Sequence, residues 1–406
     1  MTDAAIVMAR CDALCDHTEE PGKITRRFGT PALAGAILAV EGWMREAGLE
    51  TRRDPALNLF GRLRCGVPAA PVFLLGSHVD SVPDGGRYDG PLGVLTALAT
   101  VERIARAGTT LAFDLEVCAF SDEESVRYGT AYWGSSAVAG RVEEAWLERA
   151  DAGGEVLRDV LAAAGGDPTA LHRCAMHGVA GWLELHIEQG PVLEGEGLPI
   201  GVVTGIPAQR RLAWTIEGLA GHAGTTPMSG RRDALAGASE LVLAVERIGR
   251  STPGLVATVG VLIPEPGAMN VIAGRVSLTT DVRHLDDATL ARADAAIADA
   301  AAAIAGARRL AISSSVLSDD PAVPCDARLM AAATRAIRDQ GFAVRELPSG
   351  AGHDAVPLSH VAPVAMLFLR CAGGISHHPA ESVDVADVAI ALDVMERIIL
   401  DLGANR

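Results

Sequence analysis

The first half of the chain alternates between helical and extended patterning. Apolar positions recur at helical spacing over residues 6–15 and again over 31–46, with Gly48 ending the second stretch. Residues 58–64 predict a short strand, and 72–75 form an apolar run of the kind buried inside a sheet. A helical pattern over 92–107 follows, then an apolar, β-branched and aromatic strand over 111–120. Residues 127–140 are rich in Gly and Ser, which predicts loop and a short helix, and 143–164 predicts a single helix. Residues 183–187 alternate and predict a strand.

The patterning changes near Gln209. Half-exposed strands are expected over 212–217, 256–263, 276–283 and 310–316, with helices over 231–249 and 288–305 between them. The second helix is alanine-rich, as expected of a packed helix with a small-residue face. After Pro321, long helices and a buried strand over 364–368 resume. This order predicts an α/β fold: a larger domain of residues 1–208 and 321–406, with a smaller α+β domain of residues 209–320 inserted into it.

The candidate chemistry begins in residues 76–93, GSHVDSVPDGGRYDGPLG. His78 and Asp80 stand two apart at a strand end, so they share one side of an extended backbone. A glycine-broken loop then delivers Asp89 to a helix start, in the crevice where open α/β sheets place their ligands. Three further motifs stand at predicted strand ends or glycine-rich turns: Ser121-Asp122-Glu123-Glu124, His186-Ile187-Glu188-Gln189-Gly190 and His377-His378. Alone, each has an ordinary explanation: an HxD pair is usually structural, an acid pair a solvated turn, a His pair a surface feature. Together they offer ligands for two divalent ions. Asp89 would be shared, His78 and His186 would complete one ion, and Glu124 and His377 the other. Mixed imidazole and carboxylate ligands suit Zn, Mn, Co or Ni. Asp80 would orient His78 by accepting from its other ring nitrogen. Glu123 would serve as general base, pointing away from Glu124 if the segment is extended.

Composition narrows the partners. The chain has 406 residues, 49% hydrophobic and 21% charged, with a formal net charge of −16. That charge argues against nucleic acid, yet a few arginines and a metal can still favour an anionic small molecule in a cleft. The seven cysteines are scattered and odd in number, as expected of reduced thiols in the cytoplasm. The acidic N-terminus lacks the apolar core of a signal peptide, and no apolar run approaches the roughly 18 residues of a membrane span.

The motifs GSHVDSVPDGGRYDGPLG, FSDEES, LELHIEQGPVLE, GLAGHAGTTPMSGRRDAL, NVIAGRVSLTTDVRH, SGAGHDA and GGISHHPAE span nearly the whole chain. In combination they resemble the M20-type metallohydrolases, and more narrowly the branch of allantoate amidohydrolases, N-carbamoyl-L-amino acid hydrolases and ureidopropionases. The resemblance implies a catalytic domain with a mixed sheet flanked by helices, carrying two metal ions per subunit. It implies that the inserted domain, a four-stranded antiparallel sheet with two helices, is a lid through which two subunits pair. His186 stands where peptidase relatives tend to carry a carboxylate. By the same resemblance His222 would reach the partner's active site and stabilise the tetrahedral intermediate. Asn270 and Arg283 would grip the substrate carboxylate, Gln189 and Gln209 would lie near the carbamoyl end, and Gly352 would supply a backbone contact. From its residues alone, Arg283 reads as a strand-end arginine paired with Asp281. Ser125 and Tyr128 depart from the usual pattern, as does the Leu369-Arg370-Cys371 stretch, and Arg370 is expected to tune substrate choice. The implied reaction is hydrolysis of a linear ureido C–N bond on a small carboxylate substrate, allantoate for preference, with release of ammonia and CO2. An N-carbamoyl-L-amino acid or N-carbamoyl-β-alanine is the alternative, and a dipeptide or N-acyl amino acid a more distant one.

Overall fold

A computed structural model describes residues 2–65, 67–130 and 132–404. The chain divides into two compact units, one running to Thr204 and from Cys325 onward, the other Gly205–Pro324. Among the described residues, the first unit holds an eight-stranded mixed sheet. Its centre is four mutually parallel strands in the spatial order Asp114–Phe120, Val72–His78, Val179–Ile187 and Val364–Leu369. These read as near-continuous apolar runs because helices cover both faces, which leaves no solvated side to alternate toward. Antiparallel strands Leu59–Leu63 and Ile200–Val203 flank the four.

Helix Pro91–Ala107 buries Leu92, Val94, Leu95, Leu98, Val101 and Ile104. Full burial of each such side chain contributes about 1.5–3 kcal/mol. The helix begins with Pro, which supplies a preset φ where no N–H partner exists, and ends at Gly108 in the left-handed region. Its N-cap is Gly90 at φ 82, and a Cβ there would lie 2.4 Å from the His78 ring. Glycine therefore lets the His78 imidazole lie directly against the helix entry.

The second unit is a four-stranded antiparallel sheet ordered Val256–Glu265, Arg275–His284, Ala208–Glu217, Ala311–Asp320. Trp214 and Ile216 alternate inward on one central strand, and Val276, Leu278, Thr280 and Val282 on the other. Helices Ala234–Ser251 and Asp287–Arg308 pack on that face. The alanine-rich helix is held by Leu290, Ala293, Ile297 and Ala301, a stripe at helical spacing. Its N-cap Asp286 accepts the Thr289 N–H at 2.8 Å.

One expected element differs. Residues 143–164 are not a single helix but a short 3₁₀ turn, Glu144–Glu148, and a helix, Leu157–Ala163. Asp151 Oδ1 accepts the N–H groups of Gly153 and Glu155, closing a polar turn that offers the backbone better partners than a helix would. Strands Glu50–Arg53 and Ile200–Val203 lay outside the sequence expectations, being short with little alternation to read. Among the described residues, no helix is long and apolar enough to cross a membrane.

Candidate metal centre

The four parallel strands point their carboxyl ends at one edge of the sheet, and the chemistry collects there. Val72–His78 ends in His78, and Val179–Ile187 carries His186 one residue before its end. Glu123 and Glu124 follow Asp114–Phe120, and His377 follows Val364–Leu369. Asp89 sits just ahead of helix Pro91–Ala107.

Asp89 lies between two groups of donors. Its Oδ1 is 3.1 Å from His186 Nε2 and 3.9 Å from His78 Nε2. Its Oδ2 is 3.1 Å from His377 Nε2, which is itself 3.6 Å from Glu124 Oε1. The donor atoms of His78, Asp89 and His186 all lie within 4.8 Å of one another, and so do those of Asp89, Glu124 and His377. A third such set is His78, Glu123 and Glu124. The other four expected ligands thus gather around Asp89.

Each imidazole turns Nε2 inward because its other nitrogen or its backbone is held. His186 Nδ1 donates to Ile187 O at 2.9 Å. His78 Nδ1 is 3.3 Å from Asp80 Oδ1. His377 is held at φ 56, in the left-handed region. Asp80 does more than orient His78: its two oxygens accept the backbone N–H groups of Glu123 and Glu124 at 3.0 and 3.1 Å. That pair of bonds bends the chain after Phe120, so the expected divergence of Glu123 from Glu124 does not occur and both carboxylates face His78. Ser125, in the left-handed region at φ 55, completes the bend.

The electrostatics fit a site built for cations. Burial and then Asp89 push the Glu124 carboxyl up to about 7. Burial, partly countered by His78, leaves Glu123 well above the usual carboxylate range. The hydrogen bond to Asp89 pushes His377 up to about 9. Burial alone would lower His78, but Asp80 outweighs it and raises the ring well above its ordinary value. Buried carboxylates in excess recruit protons where divalent ions would otherwise sit.

Several contributors carried no sequence expectation. His353, buried, sets its ring edge-on to His186 with centroids 4.6 Å apart and hydrogen-bonds Ser349 Oγ at 2.8 Å. Glu184, two residues before His186 on the same side of its strand, accepts from Ser77 Oγ at 2.7 Å. That i, i+2 spacing in LELH was the legible signal. Buried Arg26 donates from Nε to Val79 O at 3.0 Å, between His78 and Asp80. Glu381 accepts the N–H groups of Tyr88 and Asp89.

The expected substrate residues distribute as follows. Gln189 Nε2 donates to Asp89 Oδ2 and to Ser376 Oγ, both at 3.1 Å, so it stands at the cluster itself. Gly352 lies against the Tyr132 hydroxyl. Arg370 donates to both carboxylate oxygens of Asp387 at 2.8 and 2.9 Å, a bidentate pair that commits its fork to helix Val385–Gly403. In the second unit, exposed His222 pairs across a short ribbon with Val271, and Ala223 N–H donates to Asn270 O at 2.9 Å. His222 Nδ1 accepts from Gly224 N–H at 3.0 Å, which leaves the proton on Nε2. Gln209 and Arg283 stand directly opposite one another on neighbouring strands. Arg283 holds Asp281 at 2.9 and 3.0 Å, as its residues alone suggested.

Residues 74–401 match the family described as Peptidase family M20/M25/M40. The chain belongs to that family. It is 40% identical to an N-carbamoyl-L-amino acid amidohydrolase of Geobacillus stearothermophilus, over 94% of each chain. It is 37% identical to an allantoate deiminase of Arabidopsis thaliana, over 95% of this chain and 79% of that one. A crystal structure of a hydantoinase/carbamoylase family amidase from Burkholderia multivorans superposes with a TM-score of 0.90 at 36% identity, covering 99% of this chain and 98% of that one. The chain is an enzyme of the amidohydrolase type.

Proposed function

We propose that this M20 enzyme hydrolyses the linear ureido C–N bond of a small carboxylate substrate, with allantoate preferred. The observation that carries the reading is Asp89, placed between two donor sets with Glu123 beside them. His78, His186 and Asp89 would hold one divalent ion, and Asp89, Glu124 and His377 the other, with Zn or Mn the first choices and Co or Ni also suited. Such ions supply Lewis acidity toward a carbonyl oxygen and toward water. Glu123, whose carboxyl is pushed up by burial, takes a proton from the attacking water and returns it to the leaving nitrogen. The carbamoyl carbon gains the water oxygen, its bond to the substrate nitrogen breaks, and the carbamate formed decomposes to ammonia and CO2.

His222 is suited to the developing oxyanion, because its Nδ1 accepts from Gly224 N–H and Nε2 is left to donate. Arg283 lies near the carboxyl end of strand Arg275–His284, and Asn270 precedes the short strand Val271–Ile272 that leads into its other end. Eight residues of strand, roughly 27 Å, separate Arg283 from Arg275, with Asn270 beyond. One copy cannot close both on one carboxylate, which supports a homodimer whose active sites draw on two second units. Edge strand Ala311–Asp320, with Val316 and Leu317 exposed, offers a pairing surface. Arg211 and Arg283 both bind Asp281, so two guanidinium forks, of the geometry that suits a substrate carboxylate, meet at that end of the sheet.

The Geobacillus relative favours a second reading, an N-carbamoyl-L-amino acid as substrate. Ammonia release by metal-loaded enzyme over allantoate, N-carbamoyl-β-alanine, N-carbamoyl-L-amino acids, N-acyl amino acids and dipeptides separates them. The highest kcat/KM is expected on allantoate. Turnover confined to dipeptides or N-acyl amino acids would overturn the ureido reading.

A further inference from the structure

The segment that carries His377 holds Asp89 from two directions. On the carboxylate side, Ser376 Oγ donates to Asp89 Oδ2 at 3.0 Å and His377 Nε2 lies 3.1 Å from the same oxygen. On the backbone side, Glu381 Oε1 accepts the N–H of Tyr88 at 2.7 Å and of Asp89 at 3.1 Å. Glu381 is 3% exposed, and its Oε2 is buried without a hydrogen-bond partner among the described residues. The turn is internally braced: Glu381 N–H donates to His378 O at 3.0 Å, and Ala380 N–H donates to His378 Nδ1 at 3.1 Å. Opposite it, Gly86 has no side chain, and a Cβ there would lie 2.1 Å from the Glu381 carboxyl carbon. The loop is thus cut away to seat this carboxylate under Asp89.

A neutral acceptor would satisfy the two N–H groups equally well. When ionised, this carboxyl sets a second buried negative charge behind Asp89, and the two repel. That arrangement destabilises the metal-free protein and is offset only by cations on the far side of Asp89. We propose that Glu381 is a positioning residue that fixes Asp89 in its bridging pose and deepens the negative potential there, raising metal affinity without ligating. The inference rests on the two-ion reading of the centre.

The test is calorimetric titration of metal-free wild type, Glu381→Gln and Glu381→Ala with Mn²⁺, together with melting temperatures before and after metal. Loss of an outer partner of a metal ligand typically costs 10- to 100-fold in affinity, and that loss is expected for Glu381→Ala. Glu381→Gln keeps an acceptor for the two N–H groups and removes the carboxylate charge. It is expected to bind at least tenfold more weakly than wild type, to melt no lower than wild type without metal, and to gain less on loading. Excess Mn²⁺ should restore most of its kcat. Both variants binding within threefold of wild type would overturn the proposal, as would a lower metal-free melting temperature for Glu381→Gln with unchanged affinity. Wild type binding no Mn²⁺ would overturn the two-ion reading and this inference with it. Wild type binding two ions, with the variants unaffected, would overturn this inference alone.

Discussion

Asp80 Oδ2 accepts the backbone N–H of Glu124 at 3.1 Å, across 44 positions of sequence. Its Oδ1 does the same for Glu123 at 3.0 Å. With both oxygens receiving donors, an amide in this place would set its own N–H against a backbone N–H. Asp80→Asn should therefore be as damaging as Asp80→Ala, each lowering kcat by on the order of 10- to 100-fold. Steady-state kinetics at saturating metal checks this. Near-normal turnover by Asp80→Asn would show that the paired acceptor geometry does not matter.

Glu123 is assigned proton transfer, not metal holding. Glu123→Gln should retain two ions per chain by elemental analysis while kcat falls by roughly 10²–10⁴. Loss of an ion in that variant would make Glu123 a ligand instead.

The pH response has a worked sign. His377 is pushed up to about 9 and Glu124 to about 7. A raised folded pKa contributes stability at low pH that is lost as pH climbs through it. For Glu124 the loss runs from 4.5 to about 7, and for His377 from 6.5 to about 9. The metal-free protein should therefore melt at progressively lower temperature from about pH 5 to about pH 9. Metal must displace the same protons, so its affinity rises over that range and the gap between loaded and metal-free melting temperatures widens. Differential scanning calorimetry across the range measures that gap, and a constant gap would contradict the assignment.

The candidate cluster was legible because each member ends a strongly patterned strand or opens a glycine-marked turn, as His78 and Asp89 do. The partners were not. Glu381 and His353 act through contacts with Tyr88 and His186, far away in the chain, and nothing local marks a residue whose work is done on so distant a partner. Arg26 reads as an ordinary basic residue until burial places its guanidinium under Val79. The bend at Glu123 escaped for a related reason: strand alternation was extended past Phe120, where hydrogen bonds to Asp80 override it. In the second unit the helix and strand periods were strong enough to place every long element. They say nothing about which end of a strand meets a substrate, and Arg283 illustrates that.

Sharing of the active site between copies has a quantitative test. If His222 serves the partner's Glu123, a randomly assorted equal mixture of Glu123→Gln and His222→Ala subunits recovers about a quarter of wild-type activity, because half the dimers carry one intact site. Recovery is read as ammonia release after co-expression. No recovery would place His222 in its own chain's site or outside the reaction.

The central claim is that two divalent ions share Asp89. Anomalous diffraction from crystals of the Mn-loaded protein, collected on both sides of the metal absorption edge, tests it directly. The account predicts two peaks flanking Asp89, one against His78 and His186 and the other against Glu124 and His377. A single peak, or peaks that do not touch Asp89, would contradict it.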